Sequence, residues 1–311
     1  MPDMSRQSEF FYDVASGLSQ GQRERQEDQI AFDFPVGVDH GFAVLSDGMG
    51  GHNAGDIASR VVVTEVFSEL KLKTLSPEQQ EDTIRQSLQS AVRHANLRLE
   101  SIAAQQDDDG IMGATLLAPV LFHDRLYWIS VGDSPLFLFR NGTLTRLNEI
   151  HSMEAKIAVM QQSGEKTAFE AANHPDRYCL TSVLAGYEIP QIDCPEDPLR
   201  LRDDDIVVAA SDGLEFLSTE QINTVIQDNR DKQSAEISAA LLREVDRFDD
   251  PDQDNVCLCV IKTCRRSSSD ADRSPSGSQE SRASKRSSMT VVSAKTENGS
   301  SIYRISRKVT V

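Results

Sequence analysis

The sequence has no apolar run long enough to span a bilayer. Runs such as Ile206 to Ala210 and Val256 to Ile261 fall far short of the roughly 20 residues that a membrane helix needs. The opening residues, MPDMSRQSEF, lack the apolar core of a secretory signal, so we expect a soluble, cytoplasmic protein. Cysteine is also scarce: five residues, an odd number without repeating spacing, argue against a disulfide framework. Cys257 and Cys259 alternate within an apolar run, as buried strand thiols do. A zinc site built from Cys257, Cys259 and Cys264 would be poorly spaced. Positive charge is in deficit, with 32 Lys and Arg against 49 Asp and Glu and a net charge of −17.

That deficit is uneven. From Arg265 to the end there are ten Lys or Arg against four Asp or Glu, a net of +6 that leaves residues 1 to 264 at −23. A surface so acidic repels a phosphate backbone, and no nucleic-acid recognition motif is present, which argues against a nucleic-acid binding module. The same 47 residues contain fourteen serines and too few apolar side chains for a core of their own. We therefore expect one domain over 8–264 and a basic, Ser-rich, largely disordered tail over 265–311. The tip, SIYRISRKVTV, alternates well enough to become a strand if a partner supplies an edge, but its composition favours an unstructured end.

Within the domain, alternating or apolar segments predict strands at Phe10–Gly17, Gln29–Phe34, Gly41–Ser46, Gly113–Phe122, Arg125–Val131, Pro135–Arg140, Ile206–Ala210 and Asn255–Lys262. Helical periodicity predicts Ala54–Leu70, Pro77–Ala104, Thr219–Gln227 and Ser234–Phe248. The turn NGT at Asn141–Thr143 is a hairpin signal. Strands run in succession and helices come in pairs, an order that predicts an α+β protein with sheets covered by helices, not a doubly wound βαβ fold.

Acidic residues cluster where strands stop or start. Asp47 closes AVLSD, Asp133 closes ISVGD, Asp212 closes VAASD and Asp254 opens DNVCLCV. If the strands are neighbours, these carboxylates meet at one rim, where repulsion drives protonation unless a cation neutralises them. Oxygen-only clusters suit hard divalent ions such as Mg²⁺ or Mn²⁺. Gly48, following Asp47, offers a backbone carbonyl with no side chain in the way.

At these residues the chain resembles the metal-dependent protein phosphatases of the type 2C serine/threonine class, in their bacterial form. The likeness rests on an ordered set: GQRERQED (Gly21–Asp28), LSDGMGGHNAGDIAS (Leu45–Ser59), MGATLLA (Met112–Ala118), SVGDS (Ser130–Ser134), HPDRYCLTSVLAG (His174–Gly186), ASDGL (Ala210–Leu214) and DNV (Asp254–Val256). It implies a four-layer α/β/β/α sandwich of two packed antiparallel sheets. It also implies hydrolysis of phosphoserine and phosphothreonine by metal-activated hydroxide, in line and without a phosphoenzyme, using two tightly bound Mn²⁺ or Mg²⁺ ions and a weaker third. By the same resemblance Asp47 is the bridging carboxylate and Gly48 lends its carbonyl, while Asp212 and Asp254 are ligands of the second ion. Glu27 and Asp28 hold ion-bound waters, Asp133 serves the third ion, and Arg23 grips the substrate phosphate through its planar guanidinium. The implied partners are phosphoproteins and a eukaryotic-like serine/threonine kinase.

Two departures and three rivals matter. Pro135 stands where relatives carry an arginine, removing a cation and a backbone donor beside Asp133. Gln26 stands in place of a shorter Asn. His52 and His174 are candidate general acids without further support. A calcium loop beginning at Asp250 would need Gly at its sixth position and Glu at its twelfth, but has Asn255 and Ile261. The segment Glu149–Asn173, the family's variable flap, names no substrate. No cysteine lies in a phosphate-cradling loop to compete as nucleophile. The strongest rival is a catalytically inactive metal-binding scaffold on the same fold, which turnover of a phosphomonoester would distinguish.

Overall fold

The computed structural model describes residues 10–35, 38–50, 54–73, 81–105, 112–165, 170 and 174–265, and the backbone of 292–295 and 301–304. His52 and most of the tail beyond Arg265 lie outside the described residues.

Strands β1 (Phe10–Ser19), β2 (Asp28–Asp33) and β3 (His40–Met49) are followed by helices α1 (Ala54–Lys73) and α2 (Ile84–Ala103). Then come β4 (Gly113–Ala114), β5 (Leu116–Phe122), β6 (Arg125–Val131), β7 (Leu136–Arg140), β8 (Thr143–Arg146) and α3 (Met153–Gln162). The domain continues through β9 (Leu199–Arg200), β10 (Ile206–Ala210), α4 (Thr219–Asn229), α5 (Ser234–Asp246) and β11 (Val256–Arg265). Two short strands follow in the tail, β12 (Val292–Lys295) and β13 (Ser301–Arg304).

The strands form two sheets, β12-β13-β1-β11-β10-β7-β8 and β2-β3-β5-β6-β9, with β4 paired to β3. Every pairing is antiparallel. The two-residue period of a strand explains the layers. On β3, Phe42 and Val44 face a core shared with α1 and α2, while Ala43 and Leu45 face a core between the sheets. On β11, Val256, Leu258 and Val260 face a third core with α4 and α5, while Cys257, Cys259 and Ile261 point between the sheets. The result is the expected α/β/β/α stack, and both thiols are free and buried in its middle.

Antiparallel pairing also gathers the acids. It sets the start of each strand beside the end of its neighbour, so Asp28 lies opposite Asp47 and Ser19 opposite Val256. Gly48 pairs with Ala114 and Leu116 with Val131, which brings the turn after β6 to the same rim. The tail strand β13 pairs with Ser16–Leu18 of β1, whose other edge is taken by β11. The alternating tip is thus neither unstructured at Ser301–Arg304 nor dependent on a partner there, since the chain's own first strand supplies the edge.

Candidate metal centre

Asp28 is the deepest acid of the rim, 2 % exposed. Its Oδ2 accepts a 2.7 Å hydrogen bond from Ser211 Oγ, which itself accepts the Cys257 amide at 2.9 Å. Burial pushes the Asp28 carboxyl up to about 6, against the Ser211 bond, which favours the ionised form. Asp47, on the adjacent strand, is held well above the ordinary carboxylate range by burial first and then by Asp28, Asp212, Asp254 and Asp133. Asp212 rises to about 8 and Asp133 to about 6, again chiefly through burial. Glu27 is raised for the same first reason. Burial raises all five carboxyls, and for Asp47 and Asp212 the neighbouring carboxylates add to it, a cost of ionisation that a bound cation relieves.

The glycines show how tightly that place is built. A Cβ on Gly55 would lie 2.8 Å from both the Gly48 carbonyl oxygen and Glu27 Oε1, so these two oxygens flank one point at the start of α1. A Cβ on Gly48 would lie 2.0 Å from the Gly55 oxygen. Glycine at 48 is therefore required by the approach of α1, a reason different from the ion access that the sequence suggests. The donor set is carboxylate and carbonyl oxygen throughout, and it fits Mn²⁺ or Mg²⁺. Among the described residues no three acidic, His or Cys side chains yet close on a single point. Ser211 holds Asp28, and Arg23 holds Asp254.

Arg23 Nη2 donates to Asp254 Oδ2 at 2.8 Å, and this bond raises the guanidinium pKa further. The loop carrying Arg23 and Glu27 is pinned by Asn255, which the sequence reading passed over. Its Oδ1 accepts the Glu27 amide at 2.7 Å, and its Nδ2 donates to the carbonyls of Gln20 at 2.8 Å and Arg25 at 2.9 Å. Gln26 turns inward, accepting the Asp28 amide and donating to the Ser19 carbonyl.

Asp133 stands apart from this group, on the turn after β6. The cation that Pro135 removes is supplied from β8: Arg146 donates to the Asp133 carbonyl oxygen and pairs with Glu215 at 2.8 Å. Arg146 lowers the Asp133 pKa, opposing the effects of burial and Glu215. His174 is engaged within its own loop, where Nδ1 accepts the Asp176 amide at 3.3 Å. The sequence-predicted set Arg23, Glu27, Asp28, Asp47, Gly48, Asp212 and Asp254 thus shares one rim, with Asp133 beside it.

Known proteins resemble this chain in both sequence and fold. The family profile described as "Protein phosphatase 2C" matches residues 19–246. A putative protein phosphatase 2C-type from Streptococcus pyogenes serotype M6 is 32% identical over 215 residues, covering 68% of this chain and 82% of that protein. The serine/threonine phosphatase stp of Listeria welshimeri serovar 6b is 32% identical over 173 residues, 55% of this chain and 65% of its own length. The crystal structure of the Mycobacterium tuberculosis serine/threonine phosphatase PstP/Ppp superposes with a TM-score of 0.64 at 26% identity, covering 83% of this chain and 99% of that one. A PstP catalytic domain in complex with two manganese ions gives the same TM-score at 25% identity, over 82% of this chain and 99% of that one. The chain belongs to the protein phosphatase 2C family of metal-dependent serine/threonine phosphatases.

Proposed function

We propose that the acidic rim is the catalytic centre of a phosphoprotein phosphatase that removes phosphate from serine and threonine side chains. The observation that carries this reading is the opposition of Asp28 and Asp47 in one antiparallel register, with Asp212 and Asp254 arriving from the other sheet. Asp47, Asp212, Asp254 and the Gly48 carbonyl would hold two Mn²⁺ or Mg²⁺ ions, Glu27 and Asp28 would orient water beside them, and Asp133 would serve a weaker third ion. When bound, the ions lower the pKa of water and neutralise charge that builds on the phosphoryl oxygens.

The remaining work falls to the chain. Arg23 leaves Asp254 to grip two phosphate oxygens in a bidentate pair. Asp28, fixed by Ser211, orients water in line with the scissile bond, and Asn255 keeps Arg23 and Glu27 in register with Asp254. Cys257, the thiol adjacent to Ser211, has no access as a nucleophile, because it is fully buried and desolvation holds it well above the ordinary range.

The partners are phosphoproteins, including targets of a eukaryotic-like serine/threonine kinase, and the site of action is the cytoplasm. Among the described residues no helix is long and apolar enough to cross a membrane. The domain spans 8–264, and the tail 265–311 is an appendage touching it through β13. Hydrolysis of a phosphothreonine peptide that starts on Mn²⁺ addition and stops with chelator is the test. Metal binding without turnover would leave the scaffold reading in its place.

A further inference from the structure

Thr115 joins the two parts of the site. It lies between β4 and β5 and is fully buried. Its amide donates to the Asp47 carbonyl at 2.8 Å, and its Oγ1 accepts the Asp47 amide at 3.0 Å. Ser46 Oγ donates to the Thr115 carbonyl at 2.6 Å, so the backbone on both sides of the threonine side chain is fixed to β3. The same Oγ1 is 2.9 Å from Ser134 Oγ. The methyl group points the other way, toward Gly132, where φ is +107° and a Cβ would come within 2.7 Å of Thr115 Cγ2. The Thr115 side chain therefore reaches both residues that flank Asp133 and binds the Asp47 amide, while the Thr115 backbone amide binds the Asp47 carbonyl.

The far side of the Asp133 turn is fixed as well. The Gly132 amide donates to His151 Nδ1 at 3.1 Å, the His151 amide donates to the Gly132 carbonyl at 3.0 Å, and Asn148 Nδ2 donates to the Ser134 carbonyl at 2.9 Å. His151 and Asn148 hold the turn to the chain that follows it, but only Thr115 among these holds it to Asp47. Neither valine nor serine reproduces both contacts. Valine lacks the oxygen and would leave the Asp47 amide without its acceptor, and serine lacks the methyl that packs on Gly132.

We propose that Thr115 is a positioning residue, which sets the spacing between Asp47 and Asp133 and thereby the occupancy of the weaker ion site at Asp133. It acts without touching ion or substrate. The inference rests on the reading of Asp47 and Asp133 as ion-holding residues. Groups that orient metal ligands typically cost on the order of 10- to 100-fold in affinity or activity when removed.

The test uses the full chain, Mn²⁺ and a small aryl phosphate. For Thr115→Val we expect the Mn²⁺ concentration giving half-maximal activity to rise by about tenfold and kcat to fall by a similar factor, with KM for the ester changed less than about twofold. Calorimetry should retain the tightest Mn²⁺ binding. Thr115→Ser, which keeps the oxygen, should restore most of the Mn²⁺ response. Ser134→Ala breaks the link at its far end and leaves the Asp47 bonds alone, so it reports even if Thr115→Val does not fold, and it should shift the activation curve the same way. A lower melting temperature with unchanged Mn²⁺ activation and kcat, in Thr115→Val or in Ser134→Ala, would overturn the proposal and leave a purely structural threonine. If the unaltered protein bound no Mn²⁺, the metal reading itself would fall, a different result from an unaltered protein that binds and variants that match it.

Discussion

Arg23 and Asp254, 231 residues apart in sequence, form an ion pair of 2.8 Å across the mouth of the acidic rim. The residue proposed to bind phosphate is thus paired with a residue proposed to bind metal. The pair is solvent-accessible, with the Arg23 side chain 59% exposed, and exposed pairs contribute only about 0–1 kcal/mol. Its exchange for a phosphate contact is therefore energetically cheap.

Arg23→Ala should lower kcat/KM for a phosphopeptide by at least about tenfold, the loss persisting at saturating Mn²⁺. Mn²⁺ binding should not weaken, because removing the guanidinium frees Asp254. Full rescue of activity by excess metal would contradict the assignment of Arg23 to the phosphate.

The raised carboxyl pKa values make a prediction about the metal-free protein. Asp28, Asp133 and Asp212 hold protons at pH values where an unfolded chain has lost them, so the native state binds more protons and stability falls as pH rises. The fall should begin near the ordinary Asp range, continue through about 6 for Asp28 and Asp133, and end near 8 for Asp212. Thermal melts in chelator from pH 4.5 to 8.5 should show it. Mn²⁺ at pH 8 should raise the melting temperature and release protons. A metal-free stability that rises across this range would mean that the carboxyls are not under mutual strain.

Asn255→Ala removes three hydrogen bonds that pin the Arg23 loop. Since Asn255 is 4 % exposed, leaving these partners unmatched should cost about 1–3 kcal/mol of stability. KM should rise as well, through misplacement of Arg23. Denaturant melts with steady-state kinetics check both, and an unchanged KM would confine Asn255 to a stabilising role.

Truncation after Arg265 removes β13 and uncovers the β1 edge at Ser16–Leu18. Hydrogen exchange at the edge amides should quicken. Because the tail is basic and the domain acidic, KM for a charged phosphopeptide should also change at low ionic strength, with the change shrinking as salt screens the attraction. Identical exchange and identical kinetics at both ionic strengths would show that the tail is a passive extension.

The layered fold is largely legible in the sequence because its central strands, such as β5 and β10, are buried on both faces and its helices on one. Arg125–Val131 and Ile206–Ala210 are bounded as their apolar runs suggest. Asp47 was expected to end its strand, yet β3 runs on to Met49 because Gly48 and Met49 pair with β4, a partner more than sixty residues away. The acids were readable because strand-end carboxylates are conspicuous. Thr115 and Asn255 sit inside the motifs MGATLLA and DNV but carry no charge, and their roles exist only in partners brought together by the sheets. The cation at Asp133 was missed for the same reason: Pro135 shows its loss, and only the β7–β8 hairpin shows that Arg146 replaces it.

Asp47 is proposed to anchor the ions needed for phosphate removal, and Asp47→Asn takes that anchor away. Asn is nearly isosteric, so the fold should survive, and relief of the charge crowding at this buried position should leave the metal-free variant at least as heat-stable as the parent. The measurement is turnover of a phosphothreonine peptide at saturating Mn²⁺, with bound manganese determined on the same sample. We expect loss of activity together with loss of tightly bound manganese in a folded protein. Full activity in that variant would contradict it.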